Sequence, residues 1–156
     1  MKKLIILALL LMITFPVAAS EEAVTDYYAH SIAEQYRSLC EYEKAREVHD
    51  YLIRNVQYDY SFSKNSFTSY GALVEGRAVC QGYSLAYREV LLHLGVKCNV
   101  LIGTTSQGLH AWNLVEVNGS NYFIDVTFDD KDDGKIYYEW FMLTAIKDHY
   151  AMFTLY

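Results

Sequence analysis

The sequence predicts an α+β fold in which helices come first and an antiparallel sheet follows. Apolar residues recur at helical spacing in the N-terminal half of the chain, as at Ala45, Val48 and Leu52. Short runs rich in β-branched and aromatic residues fill the C-terminal half, and Asn118-Gly119 between two of them is a strong hairpin signal. Helices and strands segregated along the chain in this way are typical of the α+β class.

The first 19 residues have the pattern of a secretory signal peptide. Lys2 and Lys3 precede an apolar run over residues 4–13, and small residues precede the predicted cleavage after Ala19. Pro16 interrupts the run before it reaches the roughly 20 residues of a membrane-spanning helix, although an uncleaved membrane anchor is the alternative. We therefore expect a secreted, periplasmic or cell-envelope protein without stable membrane insertion after cleavage. Residues 20–156 have the length of one domain.

Composition excludes one large class of partner. The chain has 13 basic and 19 acidic residues, a net charge of −6, and loss of Lys2 and Lys3 with the signal peptide lowers this to −8. No basic cluster is present that would follow a phosphate backbone, so we do not expect a nucleic-acid partner. Hydrophobic residues make up 53% of the chain, which is enough for a packed core. The sequence gives no signal for an oligomeric state.

Three helices are predicted in the first two thirds of the chain. Residues 21–39 contain neither Gly nor Pro, and residues 42–56 carry the helical apolar spacing. Residues 57–70 are rich in Ser, Asn and Tyr without a clear period, which predicts a loop over the functional site. The third helix stops at Gly95, and Cys80 lies near its N-terminus.

Four strands are predicted after the third helix, and two of them form a hairpin. The Asn118-Gly119 pair favours a two-residue type I′ turn, which pairs Val117 with Ser120. The four strands cover residues 98–102, 110–117, 121–128 and 136–143.

The hairpin register determines which polar side chains meet. It places Trp112 opposite Asp125 and His110 opposite Thr127, and side-chain alternation directs all four to one face. His110 and Asp125 then become diagonal neighbours within reach of an imidazole–carboxylate hydrogen bond. A change of one residue in the turn would separate them onto opposite faces.

Cys80 has the sequence context of a nucleophilic thiol. A helix N-terminus and a neighbouring imidazolium both stabilise a thiolate. Gly82 would allow a substrate backbone or a second strand to approach closely. A buried, inert cysteine is the alternative for a lone Cys. A carboxylate at Asp125 that orients His110 would complete a set of nucleophile, base and orienting residue.

Three ordered motifs resemble those of the transglutaminase-like superfamily. They occupy residues 76–84 around Cys80, residues 110–113 (His-Ala-Trp-Asn) and residues 122–130 around Asp125, and the resemblance spans about residues 45–141. It implies a papain-like fold with the cysteine helix packed on an antiparallel sheet. It also implies that Cys80 is the nucleophile, His110 the general base and later acid, and Asp125 the residue that orients His110. Phe128 stands where the family often has Trp.

The resemblance implies thiol-dependent acyl transfer on a protein or peptide substrate, without a metal or organic cofactor. The Cys80 thiolate would attack a glutamine carboxamide or peptide carbonyl, and an amine or water would resolve the thioester. The Cys80 N–H is one expected oxyanion donor. Animal-type transglutaminases use an upstream Trp as the second donor, and none precedes Cys80 here, so protease or amidase activity stands beside transamidation. Candidates for substrate or oxyanion contacts are Gln81, Trp112, Tyr58 and Tyr70.

Several alternatives stay open from the sequence alone. The same fold without catalysis would give a peptide-binding or envelope scaffold module. Cys40 and Cys98 would form a disulfide that leaves Cys80 free, or stay reduced. Trp112 would shield the His110 imidazole from water or belong to the core.

The remaining polar residues are assigned to the surface. The aspartates at 129–133 lack the alternation and the closing Glu of an EF-hand, so we expect a solvated turn. A zinc site on Cys80, His110 and Asp125 is disfavoured because Cys-x-x-Cys and paired-His spacings are absent. The other four histidines have no evident partner and are predicted on the surface or on helix faces; they are His30, His49, His93 and His149.

Overall fold

The computed structural model describes residues 19–155. The predicted signal peptide, residues 1–19, lies outside the described residues except for Ala19. The helices are α1 (Glu21–Tyr36), α2 (Glu41–Asn55), α3 (Ser69–Leu73), α4 (Cys80–His93) and α5 (Val126–Asp129). The strands are β1 (Gln57–Tyr58), β2 (Arg77–Ala78), β3 (Cys98–Thr105), β4 (Gly108–Val117), β5 (Ser120–Ile124) and β6 (Tyr150–Leu155). No helix within this described range is long and apolar enough to cross a bilayer.

The first two helices begin where polar side chains satisfy free backbone N–H groups. Ser20 Oγ accepts a hydrogen bond from the Ala23 N–H at the start of α1 (3.2 Å). At the start of α2 the Glu43 carboxylate accepts one from the Cys40 N–H (3.2 Å). The apolar residues at the predicted spacing lie on the buried face of α2. Both predicted helices are confirmed, and α1 ends slightly early, at Tyr36.

Helix α4 is central to the fold, because it contacts α1, α2, α3, β3 and β4. It buries Tyr83 and Tyr87 completely. The Tyr87 hydroxyl donates to the Ala45 carbonyl (2.9 Å), and the Tyr83 hydroxyl donates to the Val56 carbonyl (3.0 Å). Each phenol therefore adds apolar burial without leaving its hydroxyl unpaired. The helix ends before Gly95, whose φ of +76° suits a glycine C-cap, as predicted.

The main sheet is antiparallel, with strand order β5-β4-β3-β6. The predicted hairpin of β4 and β5 is present, and Val117 pairs with Ser120. Asn118 and Gly119 have φ values of +52° and +76°, as a type I′ turn requires. The register continues as predicted as far as Asn113. The predicted alignment of this hairpin is therefore confirmed from Val117–Ser120 to Asn113–Ile124.

The second hairpin strand ends earlier than predicted. Asp125 turns the chain from β5 into α5, and its backbone N–H donates to the Trp140 carbonyl (2.9 Å). The predicted cross-strand pairs of Trp112 with Asp125 and of His110 with Thr127 are therefore wrong.

The predicted fourth strand at residues 136–143 is also wrong. Its strand-type pairing with the sheet, within the described residues, is limited to one bridge between Phe123 and Leu143. The aromatic residues of this segment pack individually instead, as when Tyr138 stacks on His49 with ring centroids 5.4 Å apart. The fourth strand of the sheet is β6, which pairs with β3 and was not predicted.

The segment at residues 57–70 is more ordered than the predicted loop. It begins with β1, which pairs in parallel with β2, and it contains a 3-10 turn at Lys64–Phe67. The buried Asp59 carboxylate accepts hydrogen bonds from the backbone N–H groups of Ser61 and Ser63, both at 3.0 Å. Local side-chain to backbone bonding of this kind stabilises a turn that hydrophobic periodicity does not reveal.

Gly82 serves the packing of this segment rather than the approach of a substrate. A Cβ atom at position 82 would overlap the Ser66 carbonyl oxygen and lie 2.9 Å from the Ala78 Cβ. Only glycine lets α4 and the 3-10 turn pack this closely. The sequence correctly indicates a close approach at Gly82, but its partner is the protein's own backbone.

Candidate active site

Cys80 is the first residue of α4 and is half-buried. The preceding residue, Val79, caps the helix without a side-chain hydrogen bond. The first backbone N–H groups of a helix carry partial positive charge, which stabilises an anionic sulfur placed beside them. Cys80 therefore lies at a helix N-terminus, as predicted.

His110 and Asp125 meet as the hairpin suggested, although by a different route. His110 lies on β4, and Asp125 lies at the N-cap of α5 instead of in the strand. His110 Nε2 is 2.6 Å from Asp125 Oδ2, and the two residues are only 7% and 1% exposed. Asp125 Oδ1 accepts the Phe128 N–H (3.1 Å), so the helix cap itself orients the carboxylate. The remaining ring nitrogen, Nδ1, is the one available to Cys80.

A cavity of about 460 Å³ opens beside Cys80 and His110. Its walls are aromatic and acidic, and His110 is its one basic side chain among the described residues. The aromatic part consists of Tyr58, Tyr60, Phe128 and Trp140, and the acidic part of Asp130, Asp132 and Asp148. The site therefore combines a thiol, an imidazole and an open volume at one cavity.

The electrostatics of the site favour a protonated His110. Burial opposes the imidazolium, but hydrogen bonds to Asp125 and to Cys80 outweigh burial and raise the pKa of His110 to about 9. Burial likewise opposes the Asp125 carboxylate, and hydrogen bonds from His110 and His149 nevertheless lower the pKa of Asp125. At neutral pH the arrangement is an imidazolium between an ionised carboxylate and a sulfur, which is the state that supports a thiolate nucleophile.

Aromatic rings enclose the His110 imidazole. Phe128 stacks on it with ring centroids 4.3 Å apart, so the aromatic platform expected at this position is present. Trp112 lies parallel to it at 6.1 Å and is 1% exposed. Trp112 does not line the cavity, so the structure places it behind the imidazole and in the core rather than against a substrate.

The other three candidate substrate contacts lie in different parts of the structure. Tyr58 lines the cavity, and burial together with the charge of Cys80 raises the pKa of its phenol, so it is a neutral donor near the sulfur. The Gln81 side chain donates to the Phe67 carbonyl (3.2 Å) outside the cavity. Tyr70 lines a different cavity, beside Glu21 at the start of α1. Tyr58 is therefore the candidate that the structure brings to the site.

A second histidine, His149, reaches the site, and its predicted placement on the surface or on a helix face is wrong. His149 is 8% exposed, and its Nε2 lies 3.0 Å from Asp125 Oδ2. Its Nδ1 lies 2.9 Å from the Lys147 carbonyl oxygen. His149 precedes β6, whose pairing with β3 was not predicted, so no local sequence signal indicated this contact.

His49 is likewise buried rather than exposed. It is enclosed completely, with Nδ1 2.9 Å from Asp50 Oδ1 and Nε2 3.2 Å from Asp129 Oδ2. Burial opposes its charge, but the bonds to Asp129 and Asp50 outweigh burial and raise the pKa of His49. The Asp129 carboxylate also accepts the Trp140 N–H (3.0 Å). The solvated turn predicted at residues 129–133 is therefore wrong at Asp129, which is fully buried.

The last two histidines lie on helices and have partners. His30 Nε2 is 3.5 Å from Glu34 on the surface of α1, and His93 Nε2 is 3.1 Å from Asp26. Both lie on helix faces as predicted, with His30 exposed and His93 half-buried, whereas the predicted lack of partners is wrong.

The cysteines stay reduced in the structure. Cys40 is exposed at the start of α2, whereas Cys98 is buried on β3, so no disulfide joins them. Burial raises the pKa of the Cys98 thiol to about 12, even though Asn113 donates a hydrogen bond to its sulfur. Cys98 therefore behaves as a packed core residue.

Among residues 19–155, one group of three side chains has metal-ligating atoms within 4.8 Å of one another: His110, Asp125 and His149. Their separations of 2.6 and 3.0 Å are hydrogen-bond distances, and one carboxylate oxygen serves both imidazoles. Cys80 does not belong to the group. Hydrogen bonds join Asp125 to both imidazoles. A metal ion could bind among the three side chains only if the His110–Asp125 hydrogen bond were broken.

The fold and this site define an α+β protein of the papain and transglutaminase type. A model of the transglutaminase-like superfamily matches residues 26–126, more than half of the chain. The chain therefore belongs to the transglutaminase-like superfamily. Comparison with curated protein sequences found no match.

Solved structures share the fold at low sequence identity. A crystal structure of a TGase has a TM-score of 0.61 and 17% identity, covering 73% of this chain. The present chain spans 35% of the length of that TGase. Legionella pneumophila LapG in its calcium-bound form has a TM-score of 0.60 and 10% identity, covering 88% of this chain and 77% of LapG. At these identities the likeness concerns the fold alone.

The buried contact between His49 and Asp129 should stabilise the folded protein. We expect Asp129→Ala to lower the free energy of unfolding by about 3–5 kcal/mol, because it leaves a buried imidazolium without one of its partners. The measurement is urea unfolding of residues 20–156, followed by circular dichroism.

The control is Asp133→Ala in the same turn. Asp133 contacts the Tyr137 hydroxyl and the Lys135 N–H near the surface, so this variant should unfold close to wild type. Equal stability of the two variants would contradict the structural role of Asp129.

Proposed function

We propose that this protein is an exported thiol enzyme that transfers an acyl group from a protein or peptide substrate through a Cys80 thioester. The observation that carries the proposal is the buried His110–Asp125 hydrogen bond of 2.6 Å beside a cavity that Cys80 lines. Membership of the transglutaminase-like superfamily supports the same chemistry.

The first half of the proposed reaction forms the thioester. The Cys80 thiolate attacks the substrate carbonyl carbon and converts the carbonyl oxygen to an oxyanion. The Cys80 backbone N–H, free at the first turn of α4, donates to that oxygen, and the Tyr58 hydroxyl is the candidate second donor. When the carbon–nitrogen bond breaks, the His110 imidazolium gives its proton to the departing amine.

The second half of the reaction releases the acyl group. His110, now neutral, takes a proton from an incoming water or primary amine, which attacks the thioester carbon. The sulfur leaves as the thiolate, and His110 is again an imidazolium. Asp125 accepts a hydrogen bond from Nε2 throughout and keeps Nδ1 directed to the reaction, as the orienting residue of a triad does.

Thiol reactivity tests the nucleophile without a known substrate. The protein without residues 1–19 would be treated with iodoacetamide near pH 6. We expect Cys80 to be alkylated at least about tenfold faster than Cys40, because an imidazolium and a helix N-terminus stabilise the Cys80 thiolate. His110→Ala and Asp125→Ala should remove this advantage. Mass spectrometry of the digested protein measures each cysteine separately.

The matched control is His30→Ala, which removes a surface imidazole on α1 and should leave the Cys80 rate unchanged. Cys80 and Cys40 rates that are equal in wild type and in all variants would contradict the thiol enzyme and favour the binding or scaffold alternative.

The acyl acceptor is tested by competition between water and an amine. A glutamine-containing protein such as casein would be incubated with the enzyme, a fluorescent primary amine and oxygen-18 water. We expect hydrolysis to exceed transamidation, because no Trp precedes Cys80 to supply the oxyanion donor of animal-type transglutaminases. Incorporation of the amine at a higher rate than oxygen-18, lost in Cys80→Ala, would assign a transglutaminase.

Export is proposed from the sequence of residues 1–19. Lys2, Lys3 and the apolar run at 4–13 form the pattern of a cleaved signal, with small residues before the predicted cut. Expression of the full chain in a bacterium should give a periplasmic or extracellular product that starts at Ser20. N-terminal sequencing measures this start, and an uncleaved product in the membrane fraction would identify an anchor.

A further inference from the structure

His149 shares one carboxylate oxygen with His110. Asp125 Oδ2 lies 2.6 Å from His110 Nε2 and 3.0 Å from His149 Nε2. The other nitrogen of His149, Nδ1, lies 2.9 Å from the Lys147 carbonyl oxygen. Both nitrogens of the His149 ring therefore face oxygen atoms.

Hydrogen-bond chemistry determines the protonation of this ring. A carbonyl oxygen only accepts, so His149 Nδ1 carries a proton. Asp125 is ionised, because hydrogen bonds from both imidazoles lower its pKa in spite of burial. An ionised carboxylate also only accepts, so Nε2 must carry a proton as well. Donation from both nitrogens makes the ring an imidazolium.

We propose that His149 is a cationic positioning residue, which holds Asp125 from the side opposite to His110 and balances its charge. This inference rests on the proposed role of Cys80 as nucleophile. His149 touches neither the sulfur nor the cavity, and it acts through Asp125. The site is then a row of alternating charges: thiolate, imidazolium, carboxylate and imidazolium.

The surroundings of His149 contain little else that is charged. Trp112, Trp140 and Phe128 contact its ring, with centroid separations of 4.8, 5.1 and 5.3 Å. The His110 ring lies at 5.5 Å, nearly perpendicular. The neighbouring carboxylate of Asp148 is directed to Ser106 near the surface. Asp125 is therefore the buried counter-ion of His149.

The positive charge of His149 has a definite effect on the pair of Cys80 and His110. It makes the region less negative, which favours the thiolate and opposes the proton on His110. Removal of the charge should therefore move both thiolate formation and loss of the His110 proton to higher pH. A residue that only fills space would change the rate or the stability without moving the pH profile.

Two substitutions separate the charge from the hydrogen bond. His149→Gln keeps an amide donor for Asp125 but has no charge, and His149→Phe removes both. In both variants we expect the pH of half-maximal Cys80 alkylation to rise by about one unit, as for loss of one nearby charge. His30→Gln on the surface of α1 is the control and should give the wild-type profile.

An unshifted profile in both variants, with only a lower rate or a lower unfolding temperature, would overturn the proposal. If His149→Phe fails to fold, the pH profile of His149→Gln alone tests the proposal. Nitrogen-15 NMR of histidine-labelled wild-type protein at neutral pH provides a second measurement. We expect His149 to show two protonated ring nitrogens, and a ring with one unprotonated nitrogen would refute the inference.

The reactivity of Cys80 and the charge of His149 are measured independently. If wild-type Cys80 reacts no faster than Cys40, the nucleophile is wrong, and the positioning role falls with it. The NMR measurement reports the charge of His149 whether or not Cys80 is reactive. A reactive Cys80 beside a neutral His149 would leave the thiol enzyme in place and reject only the positioning role.

Discussion

The Asp125 carboxylate is the group on which the rest of the site depends. One oxygen caps α5 through the Phe128 N–H, and the other accepts hydrogen bonds from His110 and His149. A charge that is only 1% exposed costs several kcal/mol in lost hydration, so it is stable only where donors replace the water. Three donors from separate parts of the chain meet that requirement here, and their meeting fixes the imidazole beside Cys80.

The opposite wall of the cavity is held by the central helix. The Tyr83 hydroxyl, inside α4, lies 3.0 Å from the Val56 carbonyl oxygen and 2.6 Å from Asp130 Oδ2 on the cavity wall, so its single hydrogen is shared between two acceptors. Burial raises the pKa of Asp130 even though Tyr83 donates to it. The helix that presents Cys80 at its first residue therefore also contacts Asp130, through Tyr83 three residues further along. One rigid helix therefore holds the Cys80 thiol and contacts the Asp130 carboxylate, which favours a preorganised site.

The sequence predicts those features that depend on neighbours close along the chain. The helical spacing of α2, the Gly95 stop of α4 and the Asn118-Gly119 turn are local signals, and each is found as predicted. The hairpin register places Asn113 opposite Ile124, the residue before Asp125, and so brings the strand of His110 close to Asp125. The resemblance to the transglutaminase-like superfamily adds Cys80, which no local rule relates to the hairpin.

The features that were missed depend on contacts between distant residues. His149 meets a carboxylate 24 positions earlier, and His49 meets one 80 positions later. Residues 136–143 have the composition of a strand, yet their aromatic rings each find a separate buried partner, and this packing outweighs β propensity. Asp125 ends its strand because the Trp140 carbonyl and the α5 cap satisfy its backbone and side chain.

His49 and His149 are connected through Trp140. Its backbone N–H donates to Asp129, which binds His49, and its ring packs against His149 and Phe128 beside the candidate nucleophile's partners. Each of these histidines contacts a buried carboxylate, His49 that of Asp129 and His149 that of Asp125. Such pairs contribute modestly to stability, but they tolerate only one arrangement of donors and acceptors. The segment that carries Trp140 is thereby held against the site by these contacts together with its single bridge to β5 and the Asp125–Trp140 backbone hydrogen bond.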